Sequence, residues 1–224
     1  MDPESEALTP TAKAILFDLD GVLVDSRVVV ERTWRQWAER HQIDAAPLLR
    51  IAHGRRTRDT VEAMAPHLDL DAEVAWLESA ELEDVADLTV VPGAKRLLDA
   101  LPARSWAVVT SGGLSLARRR LEAMGLPVPT VLITSEAVTR GKPAPDGYRL
   151  AAQRLGQEPT SCVAFEDTPP GVAAARGAGA RVIALTTTHA AEQLADADAV
   201  VGDFTEVVVR ATPAGLLVTI GGAS

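Results

Sequence analysis

The sequence predicts an α/β fold: a doubly wound, Rossmann-like parallel sheet with a helical module inserted after the first strand. Three observations carry this. Apolar runs of strand length recur at 14–17, 106–110, 130–134, 162–165, 181–185 and 198–202. Helical patterns separate the later runs, over 94–101, 114–124, 146–155, 170–179 and 189–195. From about residue 27 to 90 the alternation stops and only helical patterns remain. Alternating strands and helices make a parallel sheet. Runs without polar interruption suit strands covered on both faces.

Taken in order, the start "MDPESEALTPT" is acidic and Pro-containing. It lacks the basic and apolar regions of a signal peptide and reads as a loose leader, with the protein cytoplasmic. "AILF" is the first strand. In the insertion, "VVVERTWRQWAERH" places Val30, Trp34 and Trp37 on one helix face, so the tryptophans are expected in a core. "TRDTVEAMA" and "DAEVAWLESAELEDVA" are further helices. The expected division is 1–26 and 89–224 for the α/β core, and 27–88 for a helical cap. Residues 22–28 and 88–93, with Pro92 and Gly93, are the expected hinges. Cys162, in the run "CVAF", is expected in the core as a small hydrophobe. The C-terminal "GLLVTIGGAS" is expected to add an edge strand before a frayed end.

The 224 residues suffice for a sizeable core plus a smaller insertion. A hydrophobic share of 47%, with 24% charged and 4% aromatic residues, is that of a globular chain. A net charge of −9 argues against a nucleic-acid partner, whose footprint is a basic face. An anionic ligand would then need locally focused positive charge or a metal. One cysteine excludes an internal disulfide. No apolar run reaches about 18 residues, the length of a membrane span.

Polar residues cluster just after the strands, where parallel sheets bind ligands. Asp18 ends the first strand and Asp20 follows two positions on, so both side chains point to one centre. Gly21 then permits a tight turn. Such acids suit a nucleophile or metal ligands. After the next strand come Ser111 and Gly112, a hydroxyl and free N–H groups fit to bind an anion. Lys142 lies in the constrained loop "RGKPAPDGY", where it can neutralise a phosphate and a carboxylate together. Glu166 and Asp167 are adjacent acids after "CVAF", suited to Mg²⁺. Singly, each set has a plain structural reading as a turn cap, a helix start or a solvated loop. Together, in this order, they point to one site.

"DLDGVLVDS", "VVTSGG", "RGKPAPDGY" and "FEDTPPGVAAARGAGA" match, in order, the four motifs of the haloacid dehalogenase-like hydrolase superfamily. The chain resembles its capped subgroup from about residue 13 to 204. The resemblance implies that Asp18 is a nucleophile forming an aspartyl-phosphate. It implies that Asp20 is the general acid/base and binds Mg²⁺ through its carbonyl. It further implies that Ser111 and the Gly112 N–H hold phosphate, and that Lys142 steadies nucleophile and phosphate. Asp18, Asp20, Glu166 and Asp167 would then surround Mg²⁺. Dehalogenases of the superfamily need no acid at the second position, so Asp20 implies phosphoryl chemistry.

"HGRRTRDTV" offers His53, Arg55, Arg56 and Arg58 beside a cap helix, where arginines can grip a phosphate or polar substrate body. With "VTRGKP" and "LTTTH" it looks like the sugar- and glycerol-phosphatase branch. The implied partner is a small phosphorylated metabolite, and the expected state a monomer or weak dimer. Related hexose-phosphate mutases carry a His where Val30 stands, which argues against the mutase alternative. A phospho-acceptor or binding module is the third reading; such modules are shorter and lack the insertion. Arg27 stands near the hinge and can narrow the pocket. Asp25 reads as a turn residue there, not a third catalytic acid. His41 and His67 read as surface or helix-end residues, and His189 as a helix start.

Overall fold

The computed structural model describes residues 11–221. Most of the expected leader, and the last three residues of the expected frayed end, lie outside them. β2 (Ala14–Phe17), β5 (Trp106–Val109), β6 (Leu132–Ile133), β7 (Cys162–Glu166), β8 (Arg181–Leu185) and β9 (Ala199–Val201) form a parallel sheet, in the order β6-β5-β2-β7-β8-β9. The chain winds outward from β2 to β5 and β6, returns to β7, then winds the other way. The switch point therefore lies between β2 and β7, where the crevice of such a sheet opens.

Alternation along the strands fills two layers. Ile15, Phe17, Val108, Phe165 and Ile183 face one side, toward α5 (Ala94–Asp99) and α6 (Leu114–Ala123). Phe17 stacks on Phe165 with centroids 5.4 Å apart. Leu16, Ala107, Val109 and Ala164 face the other side, where α7 (Asp146–Arg154) and α8 (Pro169–Ala178) present Ala151, Ala152, Ala174 and Ala175. Cys162 is buried there, and burial pushes its thiol up to about 11, so it is an inert core residue.

Between β3 (Val24–Asp25) and β4 (Thr89–Val90) stand α1 (Arg27–Arg40), α2 (Ala45–Ala52), α3 (Thr57–Met64) and α4 (Leu70–Glu83). Their apolar faces share a cluster of their own around Trp34, Trp37, Leu48, Val61 and Leu77. The two tryptophans meet edge-on at 5.5 Å, as the helical spacing requires. α2 is a fourth helix beyond the three read from the sequence. Asp44 caps it by accepting from Ala46 N, and Pro47 falls in the first turn, where a missing N–H does no harm. At the expected hinges, β3 and β4 pair antiparallel, Val24 opposite Val90 and Asp25 opposite Thr89. Asp25 ends β3 rather than lying in a turn, and its Oδ1 accepts from Arg27 N at 3.1 Å at the start of α1.

Two further expectations need correction. The helix expected over 189–195 is a single 3-10 turn, Ala191–Leu194. Leu194 alone is buried in it, while the residues before it are engaged elsewhere: Thr187 bonds Gly21 O, and Thr188 and His189 contact Asp167. His189 is therefore not a helix start. The C-terminal strand forms, but it is central rather than an edge strand. β11 (Gly215–Ile220) lies between β1 (Thr11–Ala12) and β10 (Val207–Thr212) in a separate antiparallel sheet. β10 is a β-branched run before the turn residues Pro213 and Gly215, the pattern of a hairpin strand.

Candidate active site

The residues after β2, β5 and β7 converge on one cavity at the switch point. Asp18 leaves β2 with its N–H donating to Phe165 O at 3.0 Å, which fixes it beside β7. Its Oδ1 accepts from Leu19 N at 2.7 Å, and its Oδ2 lies 2.9 Å from Lys142 Nζ. Lys142 Nζ also lies 2.6 Å from Glu166 Oε1. Glu166 is fully buried behind the cavity wall, and its Oε1 accepts from Tyr148 Oη as well. Gly21 is left-handed (φ 78°), and a Cβ there would collide with the Asp167 carboxylate. Glycine thus lets the first loop lie against the acid after β7.

Asp18, Glu166 and Asp167 offer oxygens within 4.8 Å of one another. Three acids so close repel unless cations intervene. Burial pushes Asp18 up to about 8; Lys142 opposes this, and the Glu166 and Asp20 charges add to it. Asp167 is pushed well above the carboxylate range by burial, then by Asp18 and Glu166. Burial works against the charge on Lys142, but Asp18 and Glu166 more than offset it, so the ammonium is held charged. One lysine for three acids leaves charge unanswered. Asp167 Oδ1 is also buried with no partner among the described residues. Both features fit a divalent cation, a hard ion that takes carboxylate oxygens.

Asp20 lines the same cavity. Its Oδ1 accepts from Ser26 Oγ at 2.7 Å and from Arg120 Nη1 at 2.6 Å. Ser111 and Gly112 also line it, in a different arrangement from the one expected. Ser111 Oγ donates to Gly54 O of the insertion at 2.9 Å, and Gly112 N donates to Thr110 Oγ1 at 3.0 Å. His53 and Arg55 line the opposite wall with Arg27, Val30 and Trp34. Trp34 thus serves the insertion's core and the cavity at once. His53 is held below its usual range chiefly by burial.

Arg56 departs from expectation. Its Nε and Nη2 bond the Asp59 carboxylate and its Nη1 donates to Thr139 O, so it lies outside the cavity. Arg58 pairs with Asp71 at the surface. His67 is exposed, and His41 ends α1 with Nε2 2.9 Å from Glu73 Oε2. Arg120 and Glu81 were missed from the sequence, although periodicity carried a signal. Arg120 falls on the buried stripe of Leu116, Ala117 and Leu121, whereas Arg118 and Arg119 face out. Glu81 falls on the stripe of Glu73 and Leu77. A charge on an apolar stripe must meet a partner.

A parallel sheet whose strand ends bring Asp18, Asp20, Asp167 and the Ser111 hydroxyl to one cavity, with a lysine buried against Asp18, fits an enzyme of α/β fold acting on an anionic ester. The chain belongs to the haloacid dehalogenase-like hydrolase family, whose sequence model matches residues 12–179, and within it to the phosphoric monoester hydrolases. It is 40% identical to hexitol phosphatase A of Escherichia coli, over 91% of this chain and 96% of that protein. It is 34% identical to glycerol-1-phosphate phosphohydrolase 2 of Saccharomyces cerevisiae, over 82% and 78% respectively. Among solved structures it is similar to a CbbY variant of Rhodobacter sphaeroides in complex with xylulose-(1,5)bisphosphate. That match has a TM-score of 0.76 and 25% identity, covering 87% of this chain and 96% of that one. No helix among the described residues is long and apolar enough to cross a membrane.

Proposed function

We propose that this chain is a Mg²⁺-dependent phosphatase that hydrolyses a small phosphorylated sugar or polyol through an aspartyl-phosphate. The observation that carries the reading is the setting of Asp18. One of its oxygens is taken by Lys142 and the other by a backbone N–H, at the switch point and beside Asp167. Asp18 attacks phosphorus, and Asp20 gives its proton to the departing alcohol oxygen. Asp20 then takes a proton from the water that releases phosphate. Lys142 offsets the charge of nucleophile and phosphate, and Ser111 turns from Gly54 O to a phosphate oxygen. Asp18, Asp167 and the backbone carbonyl of Asp20 would hold Mg²⁺, with Glu166 behind them. Bound there, the ion supplies charge neutralisation for an anionic phosphate meeting a carboxylate.

The insertion acts in this reading as a cap that excludes water and meets the leaving group. His53 and Arg55 are its contacts to substrate. The hexitol and glycerol phosphatases among the relatives support a polyol or sugar body. Val30, on the cavity wall where related mutases carry a histidine, speaks against isomer interconversion.

The test is phosphate release from a panel of sugar and polyol phosphates. Release is expected with Mg²⁺, is lost in EDTA, and returns on adding the ion. Asp18→Asn is expected at background. Release by that variant, or full activity in EDTA, overturns the reading.

A further inference from the structure

The mechanism above gives no role to Arg120 and Glu81, two buried charges that meet the half-buried Asp20 at the far wall of the cavity. Arg120, on α6, is 2% exposed. Its Nη1 donates to Asp20 Oδ1 at 2.6 Å and its Nη2 to Glu81 Oε2. Glu81 is carried by α4, so the guanidinium joins the proposed acid of the core to the insertion. Asp20 Oδ1 accepts from Ser26 as well. Its Oδ2 has no hydrogen-bond partner among the described residues, and Asp20, Glu81 and Arg120 all line the cavity. Two donors on one oxygen fix the carboxyl's rotation and leave the other oxygen free to carry a proton.

As mere structure the triplet is a poor bargain. Buried ion pairs are often matched or bettered by apolar residues of the same size. Burial works against the charge on Arg120, though Asp20 and Glu81 more than offset it, while burial holds Glu81 above its usual range against the pull of Arg120. Arg120 Nε is buried and unpartnered. These costs make sense if the guanidinium serves Asp20.

We propose that Arg120 is a positioning residue for Asp20, holding Oδ1 so that Oδ2 faces the leaving-group oxygen, and that Glu81 completes this clamp only when the insertion is seated on the core. The inference rests on the phosphatase reading. As Asp18 forms its bond to phosphorus, the bond from phosphorus to the alcohol oxygen breaks. Its electron pair stays on that oxygen, which takes the proton from Asp20 Oδ2. Seating the insertion would thereby couple closure to proton delivery.

A leaving group that needs no proton separates this role from a structural one. In single-turnover experiments with Mg²⁺ and the full chain, the release of alcohol from a hexitol phosphate is compared with the p-nitrophenolate burst from p-nitrophenyl phosphate. Arg120→Met is expected to slow the first about 100-fold, within the usual worth of general acid catalysis, and the second less than about fivefold. Asp20→Asn should give the same split. Equal losses on both substrates, or no loss on either, overturn the proposal. Glu81→Gln, which keeps the side chain's size, guards against an Arg120 variant that does not fold. It is expected to give a smaller split in the same direction, and equal rates would overturn the part assigned to the insertion. A wild type that releases neither product would defeat the phosphatase reading itself, and this inference with it.

Discussion

The two walls of the cavity hold charge in opposite ways. The strand-end wall is locked: Asp18 and Asp167 line it, Lys142 and Glu166 stand behind them, all four are buried, and Glu166 is itself the last residue of β7. The insertion wall is set in place by a few polar contacts: Ser111 on Gly54 O, Arg56 on Thr139 O, and Arg120 on Glu81. Arg55 on that wall is exposed. The difference teaches where the reaction and its selectivity can change independently. Charge neutralisation needs fixed groups in a dry setting, whereas a wall that admits and releases substrate must be able to move.

The most damaging way to break the locked wall is to take its lysine. Lys142→Met leaves Asp18 and Glu166 buried against each other with no cation between them. Removing one member of such a set costs about 3–5 kcal/mol. Urea unfolding in EDTA should show a loss of that size, and activity should vanish even with Mg²⁺. A loss below about 1 kcal/mol, the range of exposed pairs, would show that the wall is not held by charge.

Gly54 tests how the other wall is seated. It is left-handed (φ 76°), and a Cβ would collide with the Thr168 hydroxyl. Gly54→Ala is therefore expected to cost about 1–3 kcal/mol and to shift the loop that carries His53 and Arg55. KM for a hexitol phosphate should rise, with a smaller change in kcat, because Asp18 and Lys142 do not depend on that loop. An equal fall in kcat with KM unchanged would mean that the walls are one rigid unit.

The locked wall was legible in the sequence because its parts are a type at a place: acid, hydroxyl and acid pair directly after apolar runs, and a lysine in the constrained loop that follows another. The sheet then forces them together, whatever the rest of the chain does. The insertion wall was legible only as composition. "HGRRT" announces basic residues near the site but not which of them faces it, since that depends on a loop whose path is set by tertiary contacts. The hairpin of β10 and β11 and the unwound stretch at 189–195 escaped for a related reason. The pattern at 189–195 was weak and contacts with distant residues decided it, whereas β11 was read as a strand and only its place between β1 and β10 depended on the distant pairing.

Arg55 and Arg56 bring the comparison down to two neighbouring residues of one type. Arg55 is exposed at the cavity, and no hydrogen bond holds its side chain among the described residues. Arg56 is forked onto Asp59 and donates to Thr139 O, which ties α3 to the loop preceding Lys142. Removing Arg55 should weaken ground-state grip on an anionic or hydroxylated substrate. Arg55→Ala is thus expected to raise KM about tenfold with kcat nearly unchanged, the pattern of lost uniform binding. Arg56→Ala removes a half-buried pair and should cost no more than about 1 kcal/mol of stability, leaving KM within about twofold. The pair of variants, assayed side by side on one hexitol phosphate, tests whether the cavity's basic character resides in a single side chain. If Arg56→Ala raises KM more than Arg55→Ala does, the loop reorganises when substrate enters, and the insertion wall is more mobile than its present contacts imply.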